Sequence, residues 1–231
     1  MKIVVGGTKG GSGKSTVATN LAVLRATEGH EVLLVDADDQ ETAADFTELR
    51  NQTLEEGAGY TCIKLTGPSV RTEVQRLAPK YDDIIIDTGG RDTTSQRAAL
   101  TVADILLVPF VPRSFDVWTL DNISRIADEM KVANPDLKAF IFLNRADPAG
   151  KDNQAAQEYI LEELKDQGRL GTFELLDASL GTRKAFGNAQ SKGLAVTEHY
   201  PKNLKAEREL LTLYSCIFNV LVKSNLMELQ A

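Results

Sequence analysis

Short apolar runs alternate along the chain with longer stretches in which apolar residues recur every three or four positions. Runs such as Ile84-Ile85-Ile86 are typical of strands that are buried on both faces of a parallel sheet. Strands are predicted at residues 2–6, 31–36, 61–65, 83–87, 105–109 and 139–144. Helices are predicted at about residues 14–28, 41–52, 69–77, 93–102, 117–133, 153–165, 182–192 and 204–223. This alternation predicts an α/β fold, a doubly wound and mainly parallel sheet with helices on both faces.

The predicted elements follow one another without a linker, an internal repeat or a low-complexity tract. Because 231 residues suffice to bury a core, we expect one domain that spans residues 1–231. No apolar run approaches the roughly 20 residues of a membrane-spanning helix. The first residues lack the pattern of a signal peptide, and Cys62 and Cys216 have no metal-ligand spacing. We therefore expect a cytoplasmic protein with no membrane span, and we interpret both cysteines as reduced core residues.

Charge is distributed unevenly along the chain, whose formal net charge is −7. Residues 180–231 contain seven Lys or Arg against four Glu, which leaves −10 on residues 1–179. The overall charge argues against a protein that is basic throughout. A basic end on an acidic body could still contact nucleic acid locally.

A glycine-rich segment from Gly6 to Thr16 joins the first predicted strand to the first predicted helix. The common phosphate-loop pattern G-x-x-x-x-G-K-[ST] fails because Thr8 stands at its first glycine, whereas K-G-G-x-G-K-[ST] fits from Lys9 to Ser15. Glycines allow successive N–H groups to point at phosphate oxygens, and the following helix adds its positive N-terminal end. The residues predicted to bind the nucleotide here are Lys9, Gly10, Gly11, Ser12, Gly13, Lys14, Ser15 and Thr16.

Within this loop, individual residues have distinct predicted roles. Lys14 can reach the β- and γ-phosphates, and the Ser15 hydroxyl can bind Mg²⁺. A second lysine, Lys9, would add positive charge that matters most where water is excluded. The alternative is that Lys9 points into solvent.

Acidic residues end two of the predicted strands. Asp36 ends the second, and Asp87 ends the strand that contains Ile84 to Ile86. Ligands of open α/β sheets bind at the carboxyl ends of strands, so both carboxylates should face the phosphate loop. We expect Asp87 to hold Mg²⁺ directly or through water, and Asp36 to be an indirect partner of the same ion.

These residues together resemble the ParA/MinD family of P-loop NTPases. The segment from Lys9 to Ser15 resembles the family's deviant Walker A motif, and Asp36-Ala37-Asp38-Asp39-Gln40 resembles its D-x-D-P-Q segment with Asp39 in place of proline. The resemblance implies ATP and Mg²⁺ as cofactors and an ATP-dependent homodimer in which Lys9 contacts the nucleotide of the other subunit. It also implies that Asp38 positions the attacking water. The alternative is that Asp38 caps the next helix.

Further segments extend the resemblance along most of the chain. Residues 88–92 resemble the family's second switch, and residues 111–116 its P-x-S-x-x-D segment. Residues 182–186, followed by Gly193 and residues 207–210, resemble the ParA C-terminal region. Similar proteins use an asparagine at the position of Asn144 to hydrogen-bond adenine, although a simple turn would also explain this residue.

The resemblance leaves several functions open. The first is a ParA-like ATPase that binds nonspecific DNA, associates with the nucleoid in its ATP state and positions a plasmid, chromosome or protein assembly with a ParB-like or centromere-binding adaptor. The alternatives are a MinD-like membrane cycle, a P-loop enzyme of the same superfamily, and a basic segment that is merely solvated. The candidate DNA-binding residues are Arg183, Lys184, Lys192, Lys202 and Lys205.

Overall fold

The computed structural model of the chain describes residues 1–112, 117–147, 151–166, 168 and 173–228, without the side chains of residues 117–119, 151, 152 and 219–228. Its centre is a seven-stranded sheet with the order β3-β2-β4-β1-β5-β6-β7. Every strand pairing in it is parallel. The strands are β1 Lys2–Val5, β2 Val32–Ala37, β3 Thr61–Lys64, β4 Asp83–Thr88, β5 Ile105–Phe110, β6 Lys138–Ala146 and β7 Phe173–Gly181.

Helices cover both faces of the sheet because successive strand residues point to opposite sides. Val4, Ile84 and Ile86 pack against helices α3 to α6 on one face. Ile3 and Ile85 pack against α1, α2, α7 and α8 on the other face. The helices are α1 Lys14–Thr27, α2 Thr42–Thr53, α3 Ser69–Leu77, α4 Thr94–Leu100, α5 Val117–Ala133, α6 Lys151–Asp166, α7 Lys184–Gln190 and α8 Leu204–Glu228.

The predicted doubly wound fold is confirmed, with one strand missed. Strand β7 pairs with β6 at the edge of the sheet and buries alternate side chains, among them Leu176, Ala178 and Leu180. The polar residues Glu174, Asp177 and Ser179 interrupt its apolar run, so it lacks the continuous hydrophobic character of the central strands. Alternation over residues 176–180 was the signal that could have identified a half-covered edge strand.

Strand order determines where the candidate site residues meet. Strand β1 lies between β4 and β5, and the chain winds outward from it in both directions. The register pairs Val5 with Asp87 and Asp87 with Asp36. The loop after β1 therefore begins beside two carboxylates that come from later strands of the chain. This is the crevice at which open α/β sheets bind ligands.

Candidate nucleotide-binding site

A cavity of about 700 Å³ opens at the carboxyl ends of the central strands. The glycine-rich loop forms one wall, and the segments after β2 and β4 form the others. The residues that line it are Gly10, Gly11, Gly13, Lys14, Ser15, Thr16, Asp38, Asp39, Gln40, Thr42, Gly89, Gly90, Arg91, Thr93, Arg145 and Gln190. The structure thus brings most of the predicted phosphate-binding residues together with Asp38 around one space.

The N-terminus of α1 faces this cavity without a side-chain cap. Gly13 occupies the N-cap position with a φ of 90°, and no side chain accepts a hydrogen bond there. A Cβ at this position would lie 2.4 Å from Nδ2 of Asn144. Both the left-handed backbone and the close approach of Asn144 therefore require glycine. The uncapped N–H groups and the helix dipole are suited to bind an anion.

Lys14 is buried at the start of α1. Its ammonium group donates a hydrogen bond of 3.0 Å to the carbonyl oxygen of Lys9. Burial lowers the pKa of Lys14, while the carboxylates of Asp87 and Asp38 act to raise it. The structure thus connects the two predicted lysines through the backbone of Lys9, and it places the Lys14 charge between the loop and the carboxylates.

Asp87 lies at the end of β4 and is fully buried. Neither of its carboxylate oxygens has a hydrogen-bond partner of good geometry among the described residues. Burial raises the pKa of Asp87 to about 7, although the Ser15 hydroxyl and Lys14 act to lower it. An unsatisfied buried carboxylate beside a serine hydroxyl is a suitable ligand pair for a hard cation such as Mg²⁺. The residues present therefore fit the predicted magnesium site.

Asp36 holds the segment that follows β2. Its two oxygens accept hydrogen bonds from the backbone N–H of Asp38 (3.1 Å) and of Ala44 (2.8 Å). Burial raises the pKa of Asp36, and these N–H groups act in the opposite direction. Both oxygens of Asp36 already bond to the backbone, and its indirect role at a magnesium ion stays a prediction. Its direct role is to orient the segment that carries Asp38.

Asp38 points toward the loop after β4. Its Oδ1 accepts the N–H of Gln40 at 3.2 Å and lies 3.2 Å from the position of a Cβ on Gly89. The N-cap of α2 is Glu41, which has a φ of 52°. The alternative role of Asp38 as the cap of α2 is therefore not observed. Its half-buried carboxylate lines the cavity instead.

The loop after β4 contacts the glycine-rich loop directly. A Cβ on Gly90 would lie 2.5 Å from the backbone nitrogen of Gly10 and 2.8 Å from the carbonyl carbon of Lys9. Gln96 of α4 is fully buried and accepts hydrogen bonds from the Gly7 N–H (3.1 Å) and the Thr88 hydroxyl (3.0 Å). Gln96 was missed from the sequence because a glutamine on a short helix is usually solvent-exposed.

A second cavity of about 220 Å³ adjoins the far end of the first. The two share Gly13, Thr16, Arg145 and Gln190. Asn144 lines the second cavity, where its Nδ2 donates a hydrogen bond of 2.6 Å to the carbonyl oxygen of Ser12. Asn144 is thus joined to the phosphate loop, and its contact with adenine stays a prediction.

Gln190 and Arg145 were not predicted as site residues. Gln190 accepts a hydrogen bond of 3.0 Å from the Thr16 hydroxyl, which links α7 to the start of α1. Arg145 has a φ of 52°, and its N–H bonds to the side-chain oxygen of Asn144. A positive φ is uncommon outside glycine and is a frequent feature of binding sites. That backbone conformation is not readable from the sequence.

The candidate DNA-binding residues divide into two groups. Arg183 makes a two-pronged ion pair with Glu209 of α8, in which the Nε–Oε2 distance is 2.8 Å. Glu209 also accepts the N–H of Gly181. The remaining candidates have exposed side chains, and no ion pair holds them among the described residues: Lys184, Lys192, Lys202 and Lys205. Arg183 therefore joins β7 to α8 through Glu209, and its contact with DNA stays a prediction.

Helix α8 packs against the sheet along its first half. Leu210, Leu213, Tyr214 and Ile217 are buried in the core beneath it, as predicted from their apolar character. No helix in the described part of the chain combines the length and the apolar character that a membrane crossing needs. The segment at residues 113–116, part of the predicted P-x-S-x-x-D stretch, lies outside the described residues.

The two cysteines are half-buried and unpaired. Cys62 lies on β3 and Cys216 on α8, and both pack at the margin of the same core cluster. Across the described ranges, no three His, Cys, Asp or Glu side chains are grouped as a metal site would require.

The sequence of the chain is similar to that of proteins named for the maintenance of carboxysome distribution. It is 25% identical over 209 residues to the maintenance of carboxysome distribution protein A of Halothiobacillus neapolitanus, covering 90% of this chain and 92% of the relative. The fold resembles that of an McdA variant from Cyanothece in complex with ATP, with a TM-score of 0.74, 18% identity and coverage of 93% and 94%.

Another solved structure with the same fold is a putative plasmid partition protein of Borrelia burgdorferi bound to AMPPNP. Its TM-score is 0.69 at 19% identity, with 94% of this chain and 98% of the other covered. The family model of the CobQ/CobB/MinD/ParA nucleotide binding domain matches residues 3–196. With its deviant phosphate loop from Lys9 to Ser15 at the crevice of a parallel sheet, the chain belongs to the CobQ/CobB/MinD/ParA family, as a P-loop protein of the ParA/MinD kind.

Proposed function

We propose that the protein is an Mg²⁺-dependent ATPase that dimerises on ATP and positions a cellular cargo. The single observation that carries this proposal is the cavity lined by an uncapped helix N-terminus, Lys14 and Ser15, with the unsatisfied carboxylate of Asp87 buried directly behind Lys14 and Ser15. A triphosphate with its magnesium ion matches this arrangement because it supplies anionic oxygens for the N–H groups and Lys14, and a cation for Asp87 and Ser15. The whole chain would serve as one ATPase domain.

Hydrolysis in this site depends on placement and on neutralising the charge that develops on the transferred phosphoryl group. Lys14 is held against the Lys9 carbonyl and would move a short distance to reach the phosphates. Asp38, oriented through Asp36, would hold the attacking water at the terminal phosphate. Magnesium at Ser15 and Asp87 would neutralise phosphate charge when it is bound. Lys9 would contact the nucleotide of the second subunit.

Positioning is proposed because a relative that matches nearly the whole chain is named for the maintenance of carboxysome distribution, and because a protein named for plasmid partition shares the fold. We propose that the ATP-bound dimer associates with the nucleoid by binding nonspecific DNA through the exposed lysines between Lys184 and Lys205. An adaptor of the ParB or centromere-binding type would then stimulate hydrolysis and release. The cargo would be a plasmid, a chromosome or a protein assembly.

Two measurements test this proposal together, and a third tests its DNA-binding part. Sedimentation of the protein without nucleotide, with ADP and with ATP should show dimers only with ATP. Asp38→Ala should retain ATP binding and dimers while phosphate release falls by about 100-fold, a loss typical of removing one transition-state contact. A gel shift with random-sequence DNA should show binding only in the ATP state. Dimers without nucleotide, or normal phosphate release by Asp38→Ala, would contradict the proposal.

A further inference from the structure

Arg91 is a charged residue of the cavity to which no role has been assigned. It follows Gly90 in the loop after β4, and it lines the cavity together with Lys14 and Asp38. Its side chain is exposed. Within the part of the chain that the structure describes, it makes no hydrogen bond or ion pair.

The acidic residues near Arg91 bond to another arginine, which leaves Arg91 available to bind an anion. Arg97, six residues later, bonds to both oxygens of Asp92 and to Glu129 at 2.6–2.7 Å. The Arg97 contact lowers the pKa of Asp92, which keeps that carboxylate charged and engaged. Asp92 is the acid adjacent to Arg91 in the sequence, and its two oxygens are already bonded. Among the described residues of this loop, Arg91 is therefore the uncompensated cation.

The backbone holds Arg91 close to the loop that would bind the phosphates. Gly90 approaches the backbone of Lys9 and Gly10 more closely than any side chain would allow, since an added Cβ would lie 2.5 Å from the Gly10 nitrogen. Gly89 lies against the Asp38 carboxylate on the other side. The backbone of Arg91 thus follows a segment that packs between the glycine-rich loop and Asp38. From there, the Arg91 side chain is long enough to reach a phosphate bound by the glycine-rich loop.

The two cavities differ in their lining, and Arg91 lines only the larger one. Asn144, Arg145 and Gln190 surround the junction with the smaller cavity. Gly10, Gly89 and Gly90 line the larger cavity but not the smaller one, together with Lys14 and Asp38, where hydrolysis would occur. A guanidinium group presents several N–H donors in one plane and binds phosphate oxygens in pairs.

We propose that Arg91 binds the terminal phosphate of ATP in its own subunit and so discriminates ATP from ADP. This inference rests on the proposed function and deepens it. In the ATP state, the guanidinium donates hydrogen bonds to γ-phosphate oxygens and neutralises the charge that spreads over them during transfer. In the ADP state it has no such partner and returns to solvent. The loop after β4 would then respond to the γ-phosphate through the Arg91 side chain.

The test compares Arg91→Ala with Arg91→Lys and with Arg71→Ala. Arg71 is an exposed arginine on α3 outside both cavities, which makes it a matched control. Affinities for fluorescent ATP and ADP analogues are measured with Mg²⁺, at a protein concentration at which sedimentation shows monomers. Arg91→Ala should lower the ATP-to-ADP affinity ratio by about tenfold, since alanine cannot donate charge-assisted hydrogen bonds to the γ-phosphate. ADP affinity should change by less than about twofold, and Arg91→Lys should fall between.

The outcomes separate this role from the proposed function. An unchanged ATP-to-ADP ratio and unchanged kcat in Arg91→Ala, equal to those of Arg71→Ala, would overturn the role of Arg91 alone. A lowered ratio seen only at concentrations at which the protein is dimeric would place the guanidinium against the nucleotide of the other subunit, and would overturn the assignment to its own. Wild-type protein that binds neither nucleotide would overturn the proposed function together with this inference. Thermal unfolding without nucleotide should be the same for all variants, because neither Arg91 nor Arg71 is buried and Arg91 makes no hydrogen bond or ion pair with another described residue.

Discussion

The glycine-rich loop and the basic C-terminal segment both attract attention in the sequence, but only the first is organised as its sequence indicates. In the loop, backbone geometry would perform most of the function, and Lys14 at the start of α1 lies close to Asp38, which follows β2, and to Asp87 of β4. In the segment from Arg183 to Arg208, function would depend on side chains, and the first of them is bonded to Glu209. The difference teaches that a role built from the backbone depends on consecutive residues, whereas a role built from surface side chains depends on which partners they find in the folded chain.

Lys14→Ala removes the central cation of the loop and should have the largest effect. Charge-assisted hydrogen bonds to two phosphates contribute about 4 kcal/mol together, so ATP affinity should fall by about 1000-fold. Titration with a fluorescent ATP analogue measures this decrease, and Lys80→Ala, which changes an exposed lysine outside the cavity, is the control. ATP affinity within tenfold of wild type would mean that the loop does not bind phosphate as its geometry indicates.

Asp87→Asn tests whether the buried carboxylate beneath the glycine-rich loop makes the stability of the protein depend on pH. Between about pH 4 and pH 7, the raised pKa keeps the Asp87 carboxyl protonated in the folded, metal-free protein, whereas the unfolded chain has already released this proton. Stability should therefore fall as the pH rises through this window, and the decrease is complete above about pH 7. Asp87→Asn removes the dependence and should stabilise the metal-free protein at about pH 8 by about 3 kcal/mol. Urea unfolding at about pH 5 and about pH 8 measures this effect.

The control for Asp87 is Asp136→Asn, at an exposed position outside the cavity. It should leave the pH dependence unchanged. Equal pH profiles of Asp87→Asn and wild type would show that the buried carboxylate is not the source of the dependence.

Arg50→Ala examines how the C-terminal segment is held. Arg50 of α2 is buried and bonds to both oxygens of Glu198 at 2.7 Å, and to the carbonyl of Gly193 at 3.1 Å. Breaking a buried pair costs about 3–5 kcal/mol, and the partial exposure of Glu198 reduces our expectation to about 2 kcal/mol. Arg76→Ala breaks the exposed pair with Glu73 and should leave the unfolding midpoint nearly unchanged. Equal unfolding midpoints of the two variants would contradict this contrast.

The smallest expected effects concern DNA binding, and they should differ between the exposed lysines and Arg183. Changing Lys192, Lys202 and Lys205 to Gln should reduce the slope of log DNA affinity against log salt by roughly 0.9 for each phosphate that is no longer neutralised. Arg183→Gln should leave this slope unchanged and lower stability by about 1 kcal/mol, since Glu209 is left without its partner. A salt series of DNA binding in the ATP state measures both variants. A slope that changes only with Arg183→Gln would reverse the assignment.

Most of the fold was predictable because its signals are local. The continuous apolar runs of β2, β4 and β5 are buried on both faces, and the helices between them begin and end close to their predicted limits. Strand β7 escaped prediction because an edge strand is covered less completely, and its polar residues broke the expected pattern. The family resemblance followed mainly from the consecutive residues Lys9 to Ser15, whose spacing is set by the geometry of a phosphate.

By itself, the sequence determined the parallel α/β architecture, the glycine-rich loop and the position of Asp36 and Asp87 at strand ends near that loop. These features depend on periodicity and strand ends, which consecutive residues determine. Only the tertiary structure decided that Asp36 orients the Asp38 segment, that Gly90 packs on Gly10 with Arg91 lining the same cavity, and that Glu209 holds Arg183. These outcomes depend on side chains brought together from distant parts of the chain. Which partner a charged group finds is a question of three-dimensional distance, and a linear pattern does not contain that distance.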